Sequence, residues 1–238
     1  EMLRSLVGSE MCIRDRPMRE EPSRRQNKRK NKIVALEGKT GNQKDYIRAI
    51  LDNDVVFCSG PAGSGKSFVA SGVAAEHLHG GKIEKIIVTR PLVCTGKDVG
   101  SLPGELLEKI APYQGPMQEN LRYFLTQAFY GRYINEGKIC YAPLETMRGA
   151  TFHNAYMLLD EAQNCTFEQI KMFITRMGYN SKVLINGDID QTDLKGKSGL
   201  QECVSRLSDV DGVGICRLTY SDIQRHGLLG EILQALEA

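Results

Sequence analysis

From Ile33 onward, short apolar runs alternate with stretches whose apolar positions return every three or four residues. The runs Val55 to Cys58, Lys85 to Thr89, Lys138 to Tyr141, Tyr156 to Asp160, Val183 to Ile185 and Ile215 to Leu218 predict strands. Between them, Tyr46, Ile47, Ile50 and Leu51 form a helical stripe after Gly41 and Asn42. Lys66 to His79 reads as a helix. Met117 to Tyr130 predicts another, with Leu121, Phe124, Leu125 and Ala128 on one side. Thr166 to Met177 begins with a capping box, Thr166 and Gln169. Ser198 to Leu207 and Leu228 to Leu236 complete the helices. Continuously apolar strands separated by helices predict an α/β domain, a mostly parallel sheet with helices on both faces.

Residues 1–32 lack this patterning. Arg14 to Lys32 carries nine basic and three acidic residues, so the overall charge of +2 comes from this stretch and Ile33 to Ala238 is slightly acidic. Such a polar, charge-dense segment is expected to be a disordered tail, leaving 33–238 as the domain. Leu6 to Arg16 resembles a translated sequencing adapter, so residues 1–16 are set aside as a non-native scar. The segment has no apolar stretch suited to a signal peptide, and no run reaches the ~18 apolar residues of a membrane span. Seven cysteines form no CxxC pair, and four histidines add no zinc-like spacing. Reduced, buried thiols in a cytoplasmic protein are expected.

Gly60, Pro61, Ala62, Gly63, Ser64, Gly65, Lys66 and Ser67 match the phosphate-loop pattern G-x4-G-K-[ST], with Phe68 next in line. The match lies between a predicted strand and a predicted helix, where its mechanism needs it. Gly63 and Gly65 let successive backbone N–H groups face a polyphosphate, and the helix start adds partial positive charge. Lys66 can reach β- and γ-phosphates, and the Ser67 hydroxyl can ligate Mg2+.

The strand at Tyr156 runs into Asp160 and Glu161. Neighbouring parallel strands share one carboxyl edge, so Asp160 is expected beside Ser67, holding the metal directly or through water. Glu161 is then placed to orient or deprotonate a water aimed at the γ-phosphate. That carboxylate would be a liability in a small-molecule kinase, which must keep water away. After Val183 to Ile185 comes Asn186-Gly187-Asp188-Ile189-Asp190-Gln191, where Gln191 can sense the γ-phosphate or the attacking water.

Taken together, Gly-Asn-Gln43, GPAGSGKS, Thr89-Arg90-Pro91, MRG, LLDEAQN, GDIDQTDL, KSGL and DIQRH resemble the PhoH family over about residues 33 to 236. The resemblance implies a single RecA-like P-loop NTPase domain similar to the first motor domain of superfamily 1 helicases, using ATP and Mg2+. It implies that Gln43 reads the adenine edge and that Thr89-Arg90 faces or couples to nucleic acid. It also implies that Arg225 approaches a γ-phosphate, in an oligomer across a subunit interface. Three positions depart from the family: Ala150 follows Arg148-Gly149 where a second Arg is usual, Asn186 replaces a small or hydroxyl residue, and Gly227 stands in place of Pro. None removes a phosphate or metal group.

One motor domain alone leaves the γ-phosphate side of its site open. The resemblance therefore implies a homo-oligomeric ring, a hexamer, with single-stranded RNA or DNA as partner and no membrane. The expected function is Mg-dependent ATP hydrolysis to ADP and phosphate; the alternative is a slow nucleotide-dependent switch or assembly subunit without helicase activity. The chain has no Trp and no RNA-recognition motif, so nucleic acid rests on the resemblance alone.

Overall fold

The computed structural model describes residues 33–91, 115–189, 191, 198–224 and 232. The chain divides between Lys32 and Ile33, and every described residue belongs to the second unit. The elements are α1 (Gly41–Asp52), β1 (Val55–Ser59), α2 (Lys66–His79), β2 (Lys85–Thr89), α3 (Gly115–Asn135), β3 (Ile139–Tyr141), β4 (Ala155–Leu159), α4 (Phe167–Ile174), β5 (Lys182–Gly187), α5 (Gly199–Leu207) and β6 (Val213–Arg217). Short 3-10 turns occupy Leu144–Met147, Ala162–Asn164 and Tyr220–Asp222.

All six strands lie in one sheet of order β3-β2-β4-β5-β1-β6, and every pairing is parallel. Alternate strand residues feed two cores, as the two-residue period requires. Val56, Cys58, Ile86, Val88, Tyr156 and Leu158 face α1, α2 and α3. Phe57, Ile87, Met157, Leu159, Val183 and Ile185 face α4, α5 and the 3-10 turns. Helices therefore cover both faces, which is why β1 and β4 are buried at every position.

The order places β5 between β1 and β4. Registers Ser59↔Gly187 and Leu159↔Ile185 bring the carboxyl ends of these three strands to one edge. The gap between β1 and β4 is two strand spacings, about 10 Å. The segment after β1 and the segment after β4 can therefore reach one ligand over the end of β5.

Two predicted helices differ in detail. Helix α3 runs from Gly115 to Asn135 but breaks at Thr126, where φ is 60° and ψ 160°. Leu121, Phe124 and Leu125 are buried before the break and Tyr130 and Tyr133 after it, while Ala128, expected on the same side, is exposed. The break resets the phase of the apolar stripe. Helix α4 has the expected Thr166–Gln169 capping box but stops at Ile174, because Met177 turns into a bridge with Phe152. In α1, Tyr46 and Ile50 are buried while Leu51 is exposed. The predicted helix from Leu228 to Leu236 lies, apart from Ile232, outside the described residues.

Candidate functional site

The phosphate loop leaves β1 at Ser59 and enters α2 at Lys66. Gly63 and Gly65 have φ of 83° and 100°, a region that side chains disfavour, and Gly65 in that state is the N-cap of α2. Ser64 folds back, donating from Oγ to the Pro61 carbonyl at 2.8 Å. Lys66 lies over its own loop: Nζ donates to the carbonyls of Gly60 and Pro61. The loop thus keeps an ammonium at its centre, on weak neutral acceptors that a phosphate would replace.

Asp160 follows β4 and is 5% exposed. Ser67 donates from Oγ to Asp160 Oδ1 at 2.6 Å, joining residues 93 positions apart. Burial pushes the Asp160 carboxyl above its ordinary value, and the neighbouring Glu161 adds to this; the Ser67 bond, Arg90 and Lys66 pull the other way. A buried carboxylate short of compensating charge is a fit place for a cation. Oxygens in neighbouring positions around octahedral Mg2+ lie about 3 Å apart, given bonds of about 2.1 Å, so Ser67 Oγ and Asp160 Oδ1 need only part slightly to hold one ion. Among the described residues no group of three His, Cys, Asp or Glu side chains could hold a metal. The two hard oxygens suit Mg2+, which keeps waters and takes its other ligands from phosphate.

Glu161 is in the left-handed region, φ 56° and ψ 41°, and opens the 3-10 turn Ala162–Asn164. Its Oε2 accepts from Gln163 Nε2 at 2.6 Å, and its Oε1 lies 3.5 Å from an Arg90 Nη. Arg90, just past β2, is therefore the ionic partner of this carboxylate. Sequence spacing did not show that, because it depends on β2 and β4 being neighbours.

Gln43 is 4% exposed. Its Oε1 accepts from the Lys39 N–H at 2.9 Å, and its Nε2 donates to the Ser64 carbonyl at 2.9 Å. Both ends of the amide are engaged, so the residue braces the phosphate loop as it stands. The Phe68 ring packs at a tilt, its centre 4.6 Å from that of Phe124 and 5.7 Å from that of Tyr123.

A cleft of about 470 Å³ joins these groups. Gln43, Lys66, Ser67, Asp160 and Glu161 line it, with Phe68 and with Pro116, Glu119 and Asn120 from the start of α3. Sequence reasoning did not single out Glu119 or Asn120. Gln224 also lines it, carried by a turn whose Asp222 binds Asn42 and the Thr219 N–H. Gln191 is exposed after β5 and does not line this cleft. Arg225 lies outside the described residues. Asn186, one of the departures noted above, is 1% exposed and accepts from the Tyr46 hydroxyl at 2.6 Å, so its polarity is matched from α1.

A family model described as "PhoH-like protein" matches residues 35–237. A PhoH-like protein of Synechocystis is 44% identical over 211 residues, covering 88% of this chain and 64% of the relative. One of Bacillus subtilis is 45% identical over 201 residues, covering 84% and 63%. Protein PhoH of Escherichia coli K12 is 42% identical over 197 residues, covering 81% and 56%. The chain thus spans less than two thirds of the length of these relatives. Among solved structures, the large terminase from a thermophilic bacteriophage superposes with a TM-score of 0.51 at 11% identity, over 82% of this chain and 49% of the terminase. Its complex with ADP gives 0.51 at 12% identity over the same shares. That likeness extends to the fold, a RecA-like α/β arrangement with one parallel sheet. With the family model matching residues 35–237 and relatives above 40% identity over most of the chain, the chain belongs to the PhoH family.

Proposed function

We propose that this protein binds Mg-ATP in the cleft at the carboxyl edge of the sheet and hydrolyses it to ADP and phosphate. The observation that carries this reading is the 2.6 Å contact between Ser67 and Asp160, which joins the phosphate loop to the acidic strand end. In the proposed complex the loop N–H groups and Lys66 Nζ bind the phosphates, the lysine leaving the carbonyls of Gly60 and Pro61. Ser67 Oγ and Asp160 hold Mg2+, which supplies charge neutralisation at the β- and γ-phosphates. Glu161 accepts a proton from the attacking water. Gln43 reads the adenine edge by exchanging its bonds to Lys39 and Ser64 for the base, and so links base recognition to the loop. Gln191 is assigned to the γ-phosphate or the attacking water from its place after β5, and Arg225 to the γ-phosphate by resemblance, across the subunit interface of a homo-oligomeric ring. Single-stranded RNA or DNA is the proposed polymer partner.

Replacing Glu161 with Gln tests the reaction: bound ATP should remain while hydrolysis slows by about 10²-fold or more, the scale for losing a positioned base. Wild-type turnover in that variant removes hydrolysis through Glu161. A second reading, a slow nucleotide switch, is favoured by the engagement of both Glu161 oxygens, one by Gln163 and one by Arg90. Turnover measured with and without single-stranded RNA separates the two, since a switch of this kind stays slow in both.

A further inference from the structure

We propose that Gln163 is a positioning residue that fixes the Glu161 carboxylate by tying it to the end of β5. The proposal rests on the reading of Glu161 as the group that activates water. Gln163 is 5% exposed and sits in the 3-10 turn that begins directly after Glu161. The left-handed backbone at Glu161 and the turn bonds Asn164 N to Glu161 O and Cys165 N to Ala162 O, both 3.0 Å, bring the Gln163 amide back beside the carboxylate. Its Nε2 donates to Glu161 Oε2 at 2.6 Å. Its Oε1 accepts from the Asp188 N–H at 3.0 Å.

The chemistry of the link selects this residue type. Glu161 can only accept and the Asp188 N–H can only donate. A single side chain joining them must donate at one end and accept at the other, as a primary amide does. A carboxylate at position 163 would keep the Asp188 bond and lose the one to Glu161; an aliphatic chain would lose both. Gly187 makes room for the arrangement. A Cβ there would stand 2.9 Å from Gln163 Oε1 and 3.0 Å from its N atom, closer than such atoms normally approach.

The two holds on Glu161 differ in kind. Arg90 is about a third exposed and 3.5 Å away, so solvent screens and loosens its grip. The Gln163 bond to Glu161 is shorter, at 2.6 Å, and its bond to the Asp188 N–H is buried, so together they set direction. They also tie the orientation of Glu161 to the strand end that leads into Asp188 and Gln191. Orientation matters because a misplacement of about 1 Å can cost about 10²-fold in rate.

The test is single-turnover hydrolysis of Mg-ATP together with its equilibrium dissociation constant. The chains compared are the wild type, Gln163→Leu, Gln163→Glu, Glu161→Gln and the Glu161→Gln/Gln163→Leu double variant. The expected result is a hydrolysis rate about 10- to 100-fold lower in both Gln163 variants, with Mg-ATP affinity changed by less than about threefold. The double variant should be no slower than Glu161→Gln alone, since the two residues act through one group. If Gln163→Leu does not fold, the isosteric Gln163→Glu decides. Wild-type rates in the Gln163 variants beside a slow Glu161→Gln overturn the positioning role and leave the base intact. Affinity falling in step with rate, or additive losses in the double variant, also overturns it. A wild-type rate in Glu161→Gln overturns the underlying reading and the proposal with it.

Discussion

The Lys66 ammonium donates to carbonyls of its own loop, and the Asp160 carboxylate, two strands away, accepts from Ser67. Lys66 therefore rests on partners that a phosphate would displace, and Asp160 on the hydroxyl with which it would share a cation. Lys66→Ala should abolish tight nucleotide binding, read by titration with a fluorescent ATP analogue; unchanged affinity would remove the phosphate loop from the reaction. Asp160 gives a prediction with a sign. Folding raises its proton affinity, so the nucleotide-free protein carries a destabilising charge above that raised value and gains stability as pH falls through it toward the ordinary carboxylate value. Asp160→Asn should therefore melt at a higher temperature than the wild type at neutral pH without nucleotide, while ATP binding becomes less dependent on Mg2+. A lower melting temperature contradicts the burial argument. These residues were legible in the sequence because each sits in a short contiguous motif whose chemistry is local. Gln163 was not, because its role appears only when β5 is known to run beside β4.

Helix α3 shows where periodicity fails. Thr126 has φ 60° and ψ 160°, and its Oγ1 is buried without a partner among the described residues. The carbonyl of Phe124, just before the break, accepts instead from Val34 N at 2.8 Å. No sequence signal marks this break: Thr126 is neither Gly nor Pro, and apolar residues continue on both sides. Gly in an ordinary helix interior costs about 1 kcal/mol relative to Ala, whereas a residue held in a sparsely populated backbone region costs about 1–3 kcal/mol. Thr126→Gly should therefore be neutral or stabilising by thermal denaturation, and a loss above about 1 kcal/mol contradicts the strain assigned here. The pair of α1 and β5 behaves differently. Tyr46 is fully buried and donates to the buried Asn186, and burial keeps its phenol protonated far into the alkaline range. Tyr46→Phe should cost about 1–3 kcal/mol by leaving that acceptor unpaired. The Asn186→Ala/Tyr46→Phe double variant should lose less than the sum of the two single variants; additive losses contradict the pairing.

At the scale of the whole domain, a parallel sheet with helices on both faces followed from continuously apolar strands, but the strand order did not. The three strands β1, β4 and β5 are all strongly apolar, and nothing local says that β5 inserts between the other two. The order is what turns separate motifs into one cleft, and distant contacts hold its edges. Asp222, after β6, accepts from Asn42 at 2.8 Å, from the Thr219 N–H at 2.7 Å and from the Thr40 hydroxyl, joining the last described turn to the start of α1. Burial alone would raise its carboxyl, but these bonds together hold it below the ordinary range. Such a group contributes stability above its unfolded value and loses it as pH falls through the lowered one. Acid denaturation curves of Asp222→Asn should accordingly be flatter than wild type across and below the ordinary carboxylate range; superimposable slopes contradict the clamp.

The joining of phosphate loop and acidic strand end through one cation can be read by replacing Mg2+ with Mn2+ and following its binding, in the presence of ATP, by electron paramagnetic resonance. If Ser67 and Asp160 hold the same ion, Ser67→Ala and Asp160→Asn each weaken Mn2+ retention, and combining them adds less than the sum of the two losses. Wild-type Mn2+ affinity in both single variants would show that the ion sits elsewhere.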